Sequence, residues 1–310
     1  MGSKRYAIIG AGALGGLYGA LLQRSGCEVH FLLKSDYEHV KEHGLVIDSH
    51  WGDFRLEKVN AYDRAEGMPR CDVVCVCLKT TANGILKDVL PKVTKDNSMV
   101  VVMQNGLGAE EEIAAMLPNA SVAGAMCYLC ANRVGLGHID HVDYGRITFG
   151  AHTPGTEGAL AEVVADFDKA GVPVDMTDDL KTGRWRKLVW NIPYNGLSVV
   201  LGAGTDAMMR DERTAKLAWE IMREVIAGAR ACGCDIEEAF ADWICDFTRK
   251  MKPYKTSMML DYEAGRAMET EYLYRRPLAA AESSGRAMPR VEMLATLLET
   301  LDANKARQHI

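Results

Sequence analysis

The chain has 310 residues, 48% of them hydrophobic and 25% charged, with 29 Gly and 9 Pro, which excludes a disordered, collagen-like or rod-forming protein. That length exceeds what one hydrophobic core usually organises, so two domains are expected. The net charge of −6 and the scatter of the 36 Lys and Arg argue against a nucleic-acid binder, and no apolar run is long enough for a membrane span, so a cytosolic protein is expected.

The first half alternates short β-rich runs with helical stretches, the pattern of a parallel sheet with crossover helices. Tyr6–Ile9 reads as the first strand, Leu14–Ser25 as a helix and Val29–Leu33 as the second strand. Leu45–Asp48 and Phe54–Val59 resemble a hairpin insertion, and Asp72–Leu78 has the unbroken apolar character of a doubly buried strand. Thr81–Leu90 follows as a helix, Met99–Met103 as a strand, Glu110–Met116 as a helix and Ser121–Ala131 as a strand. Gly145–Gly150 belongs to a further β region, Gly158–Ala170 is a helix, and Val172–Met176 is an edge strand. After Thr177-Asp178-Asp179 strand-like runs vanish, and helices are expected over Leu180–Leu201, Thr214–Ala231, Ile236–Lys250, Glu269–Ser284 and Val291–Ala303. The expected division is therefore an α/β domain over 1–178 and an all-helical domain over 179–310.

The nine cysteines are scattered. Cys127 and Cys130 could be a redox pair or half of a zinc site. No second Cys/His pair completes a metal set, so buried reduced thiols and no metal are the expectation.

Gly10-Ala-Gly12-Ala13-Leu14-Gly15 places GxGxxG at the end of a predicted strand and the start of a predicted helix. In that position the pattern is strong evidence for a dinucleotide site. Gly10 permits the tight turn, Gly12 lets backbone amides approach a pyrophosphate, and Gly15 lets the helix pack close to the strand. The second strand ends Leu33-Lys34-Ser35, where NAD enzymes tend to carry an acid; a cation and a hydroxyl suit a 2′-phosphate and favour NADP. Asp36 would serve NAD instead if the strand ran longer.

Polar residues also stand where apolar ones are expected. Lys187, Asn191 and Asn195 recur every four residues in an otherwise apolar helix, so they stack in one line that could bind and protonate a small oxo acid, or else form a solvated stripe. Pro193 should kink that helix. Lys79 and Asn105 each follow the end of a buried strand, where ligands of open parallel sheets sit, or where a plain turn begins. Ser257 and Glu269 could touch one ligand only if the chain turns between them, with Gly265 the expected place.

Together these residues resemble the ketopantoate reductase (2-dehydropantoate 2-reductase) family. The resemblance spans nearly the whole chain: the glycine loop, Lys79, Gln104-Asn105-Gly106-Leu-Gly108, the segment from Trp185 through Lys187 and Asn191 to Asn195, and Ser257 through Gly265 to Glu269. It implies a Rossmann domain followed by an all-helical domain, with the active site in the cleft between, and reduction of a 2-oxo acid by NADPH in pantothenate biosynthesis. Lys187 would be the catalytic lysine. Glu269 would bind the substrate hydroxyl, Asn105, Asn191 and Asn195 would orient substrate and nicotinamide, and Ser257 would hold the substrate carboxylate. Gly10, Gly12, Ala13, Leu14, Gly15, Lys34, Lys79 and Asn105 would contact the cofactor, and a homodimer is implied. Several positions depart from the family pattern: Met268-Glu269-Thr270-Glu271 around the acid, Tyr274-Arg275 where Asn-Gly is usual, Leu260 for Gln, and Pro193 and Gly196 in the asparagine helix. Glu271 competes with Glu269 as the functional acid. A bulkier 2-oxo acid, a 2-hydroxy acid dehydrogenase and a non-catalytic dinucleotide sensor stay open.

Overall fold

A computed structural model describes residues 4–308. Two compact units emerge: Met1–Gln104 with Ala109–Leu180, and Asn105–Gly108 with Lys181–Ile310. The break falls two residues beyond the composition change at 178. The second unit also reclaims four residues from inside the first.

The first unit runs β1 (Arg5–Ile9), α1 (Ala13–Arg24), β2 (Glu28–Leu32), α2 (Tyr37–His43), β3 (Leu45–Ser49), β4 (Phe54–Leu56), β5 (Asn60–Tyr62), β6 (Cys71–Val76), α3 (Leu86–Val93), β7 (Thr94–Val102), α4 (Ala109–Met116), β8 (Ser121–Gly135), β9 (His138–Ala151), α5 (Glu157–Lys169) and β10 (Val174–Thr177). These strands form a 10-stranded sheet in the order β4-β3-β9-β8-β7-β6-β1-β2-β5, with β10 beside β9. From β8 through β5 every neighbouring pair is parallel, in register such as Ala7 opposite His30 and Val74. Strands flanked on both faces by helices are apolar at successive positions, and Val73–Val76 are all buried. Two features depart from the expected layout. β8 continues to Gly135 and pairs antiparallel with β9, and the β3–β4 hairpin joins the sheet through β9. The segment 80–85 is a 3-10 helix that precedes α3, where one helix was expected.

The second unit holds α6 (Leu180–Leu201), α7 (Thr205–Arg210), α8 (Glu212–Ala231), α9 (Phe240–Lys250), α10 (Ser257–Glu263), a π-helical turn (Glu271–Arg275), α11 (Arg276–Ser283) and α12 (Pro289–Gln308). α7 and α10 are too short for a periodic signal and were not expected as helices. α6 runs unbroken through Pro193 even though proline removes a ladder hydrogen bond and costs about 3 kcal/mol in a helix interior. Trp185, Leu188, Val189, Ile192 and Tyr194 of α6 anchor the core of this unit against α8, α11 and α12. Glu224 of α8 accepts hydrogen bonds from the Arg290 and Val291 amides (2.7 and 3.1 Å), so a carboxylate from one helix caps the start of α12. No helix among the described residues is long and apolar enough to cross a membrane.

Candidate active site

The glycine loop connects β1 to α1. Gly10 has φ +95°, and a Cβ there would lie 2.6 Å from the Leu78 backbone nitrogen, so the turn admits only glycine. Gly12 is the N-cap of α1, exposed, with open space where a Cβ would point. No side chain caps the helix and no acidic residue stands in its first turn, so the amides that begin it at Ala13 and Leu14 keep their positive potential. An open, uncapped, glycine-lined helix start fits a pyrophosphate.

β2 stops at Leu32, and Lys34 and Ser35 follow it exposed. Asp36 is buried and fully engaged. Its carboxylate accepts from Ser35 Oγ (2.7 Å), from the Gly137 amide (3.1 Å) and from Arg133. Burial pushes the Asp36 carboxyl up, but the Ser35 and Gly137 hydrogen bonds and the Arg133 charge outweigh it and hold the group below its ordinary range. The alternative of Asp36 as an NAD ribose ligand is thereby corrected: the strand is shorter than that role requires, and the acid is committed to the fold. Arg133, from the far part of β8, also donates to Ser35 Oγ at 3.0 Å. Sequence reasoning missed it, because only the pairing of β8 with β9 carries it to the end of β2.

Lys79 is exposed at the N-cap of the 3-10 helix. Gln104, at the end of β7, donates to Leu78 O (2.8 Å) and Asn83 Oδ1 (2.6 Å), tying together the two loops that follow β6 and β7.

Asn105 leaves this platform. The segment Asn105–Gly108 packs within the helical unit: Leu107 donates to Tyr272 O (3.0 Å) and Arg276 donates to Gly108 O (2.8 Å). A Cβ on Gly106 (φ +101°) would sit 2.6 Å from Tyr272 O, so glycine is what permits this approach. Asn105 therefore stands, half-buried, beside the π-helical turn.

In α6, Lys187 is half-buried while Asn191 and Asn195 are 6% and 3% exposed. A solvated stripe is excluded. Asn191 Nδ2 and Asn195 Oδ1 are buried and lack a hydrogen-bond partner among the described residues. Each such atom costs about 1–3 kcal/mol in the free protein, a cost that a ligand with matching groups removes. One turn further, Ser198 Oγ hydrogen-bonds Thr256 Oγ1 at 2.7 Å. Thr256 is the N-cap of α10 and accepts from the Met259 amide, which fixes Ser257 as the first residue of that helix beside the end of the asparagine line.

α10 ends at Glu263, and Gly265 takes φ +67°, so the chain reverses at the expected glycine. Glu269 is 5% exposed, whereas Glu271 is exposed and paired with Arg276 at 3.4 Å. Arg275, one of the departures from the family pattern, clasps Glu299 of α12 through Nε (2.7 Å) and a terminal nitrogen (2.5 Å). Cys127 and Cys130 lie buried as free thiols in β8.

A mostly parallel sheet with a bare glycine-lined helix start, followed by a helix that carries a half-buried lysine and two buried amides in one line, defines a nucleotide-dependent oxidoreductase with a separate helical unit. The chain belongs to the ketopantoate reductase family. "Ketopantoate reductase PanE/ApbA" matches residues 6–154 and its C-terminal counterpart matches residues 179–302. A 2-dehydropantoate 2-reductase from Nostoc sp. is 48% identical over 307 residues, covering 97% of this chain and 96% of the relative. The crystal structure of 2-dehydropantoate 2-reductase from Geobacter metallireducens superposes with a TM-score of 0.93 at 44% identity, covering 96% of this chain and 99% of that one. The corresponding structure from Methylococcus capsulatus gives 0.88 at 31% identity, with 97% of both chains covered. Enzymes of this family are NADP-dependent.

Proposed function

We propose that this protein reduces 2-dehydropantoate to pantoate with NADPH. The carrying observation is that Asn191 and Asn195 hold buried polar atoms without partners on the same helix line as Lys187. The glycine loop and the amides of Ala13 and Leu14 would hold the pyrophosphate, with Lys79 nearby in the β6 loop. Lys34, Ser35 and Arg133 offer two cations and a hydroxyl to a 2′-phosphate, in place of the free acid that NAD would need. NADPH, when bound, supplies the hydride that the keto carbon accepts.

The remaining work falls to side chains. The Lys187 ammonium hydrogen-bonds the keto oxygen, stabilises the negative charge that grows there, and gives up its proton to form the alcohol. Asn191, Asn195 and Asn105 orient the substrate, and Ser257 donates to its carboxylate. Glu269 accepts from the substrate hydroxyl; its burial favours it over the exposed Glu271 as that acid. Nine free cysteines suit the reducing cytosol. The homodimer that the family resemblance implies is checked by sedimentation.

The direct test follows loss of NADPH absorbance across a panel of branched and aromatic 2-oxo acids, repeated with NADH. Turnover highest with 2-dehydropantoate and NADPH is the expected result. A preference for an aromatic 2-oxo acid, or for NADH, overturns this reading of substrate or cofactor.

A further inference from the structure

Three of the residues that set this chain apart from its family pattern, Pro193, Gly196 and Tyr274, meet at one place in the helical unit. Tyr274 comes from the π-helical turn and is fully buried. Its hydroxyl donates to the Ile192 carbonyl at 2.8 Å, with the Gly196 amide beside the phenol oxygen. Ile192 and Gly196 are one rung of the α6 ladder, immediately after the rung that joins Asn191 to Asn195. A phenol hydroxyl is thus set against the helix backbone at the level of the two asparagines.

The sequence of α6 makes room for it. A Cβ on Gly196 would lie 2.8 Å from the Tyr274 oxygen and 2.5 Å from Leu294 Cδ2, so only glycine lets the ring approach. Pro193 has no amide to give to the Val189 carbonyl, and it restricts Ile192 on its N-terminal side. The helix is therefore weakest as a ladder just where Tyr274 supports it. Asn191 Nδ2 and Asn195 Oδ1 have no protein partner among the described residues to fix their direction. Their aim depends on the backbone beneath them.

We propose that Tyr274 is a positioning residue for substrate specificity, which holds the Ile192–Gly196 rung of α6 so that Asn191 and Asn195 face the 2-oxo acid. This deepens the proposed reductase function and rests on it. Tyr274 acts through the backbone and takes no part in proton or hydride transfer. Its removal should loosen substrate binding far more than it slows the bound complex.

The test is Tyr274→Phe, which deletes the hydroxyl and keeps the ring. For 2-dehydropantoate, KM should rise at least about tenfold, while kcat changes less than about threefold and the Kd for NADPH, read by fluorescence titration, stays constant. Tyr6→Phe is the matched control: it deletes another buried tyrosine hydroxyl, bonded to Asp166 at 2.5 Å in the sheet unit, and should lower thermal stability without moving KM. A second route to the same rung is Gly196→Ala made together with Leu294→Ala, which leaves the phenol hydroxyl as the obstacle to the new methyl. Relative to Leu294→Ala alone it should raise KM in the same direction. An unchanged KM in Tyr274→Phe, or equal losses in KM for Tyr274→Phe and Tyr6→Phe, overturns the positioning role while leaving the reductase reading intact. A wild-type protein inert toward every 2-oxo acid overturns that reading, and this inference with it.

Discussion

The two units mark their candidate ligand sites in opposite ways. The sheet unit does so by subtraction: Gly10 and Gly12 leave the backbone bare at the start of α1, and no side chain caps that helix. The helical unit does so by addition, burying Asn191 and Asn195 with polar atoms that nothing in the described chain satisfies. The start of α12 shows the alternative to a bare terminus, since Glu224 supplies there the negative charge that a pyrophosphate would supply to α1. A site built by omission should tolerate little added bulk, and a site built from placed groups should fail group by group.

The largest effect expected from that contrast is Lys187→Ala. Steady-state kcat should fall at least about a hundredfold, the scale of a missing general acid, while NADPH still binds. Next come the two candidate acids. Glu269→Gln should lower kcat/KM by about tenfold to a hundredfold, as expected for a lost hydrogen bond to a charged group, whereas Glu271→Gln should change it less than about threefold. Equal losses in the two variants would erase the distinction between the buried acid and the exposed one.

The glycine loop should respond differently at its two positions. Gly10→Ala forces a side chain into a positive-φ site against Leu78 and should lower the melting temperature as well as NADPH affinity. Gly12→Ala meets no protein atom, so its stability should hold while the NADPH Kd, measured by calorimetry, rises about tenfold. A stability loss at Gly12 equal to that at Gly10 would mean that both glycines serve the turn alone.

A further effect, read in stability alone, concerns a polar group whose needs the sheet unit meets internally. His141 is buried, with Ser49 Oγ at 2.9 Å from Nδ1 and Tyr144 O at 3.0 Å from Nε2. Burial, with the neighbouring His50 charge, pushes its pKa down to about 4. The unfolded chain takes up a proton near pH 6.5 and the folded chain only near 4, so stability is complete above 6.5 and declines as pH falls through that window. Urea unfolding at pH 4.5 should show a loss of about 2–3 kcal/mol relative to pH 7, and His141→Asn should flatten that slope.

Local signals made the catalytic frame legible. Glycine spacing after an apolar run located the turn between β1 and α1, α6 was readable from Leu180 to Leu201, and a turn at Gly265 followed from the condition that Ser257 and Glu269 share a ligand. Features that depend on contacts distant in sequence were hidden. The pairing of β8 with β9, which delivers Arg133 to Ser35, is one. The return of Asn105–Gly108 to the helical unit is another, because its cause is the closeness of Gly106 to Tyr272. Pro193, Gly196 and Tyr274 were visible as oddities one at a time, but only the fold reveals that Tyr274 reaches the α6 backbone at Ile192, next to Pro193, and against Gly196.

The most direct measurement is the stability and KM of Asn195→Leu, a near-isosteric change that removes a buried atom without a partner. If that atom faces substrate, urea denaturation of the free protein should show stability unchanged or raised by up to about 1 kcal/mol, while KM for 2-dehydropantoate rises more than about tenfold. A variant that loses stability and keeps its KM would contradict the assignment, because the amide would then be serving the helical core.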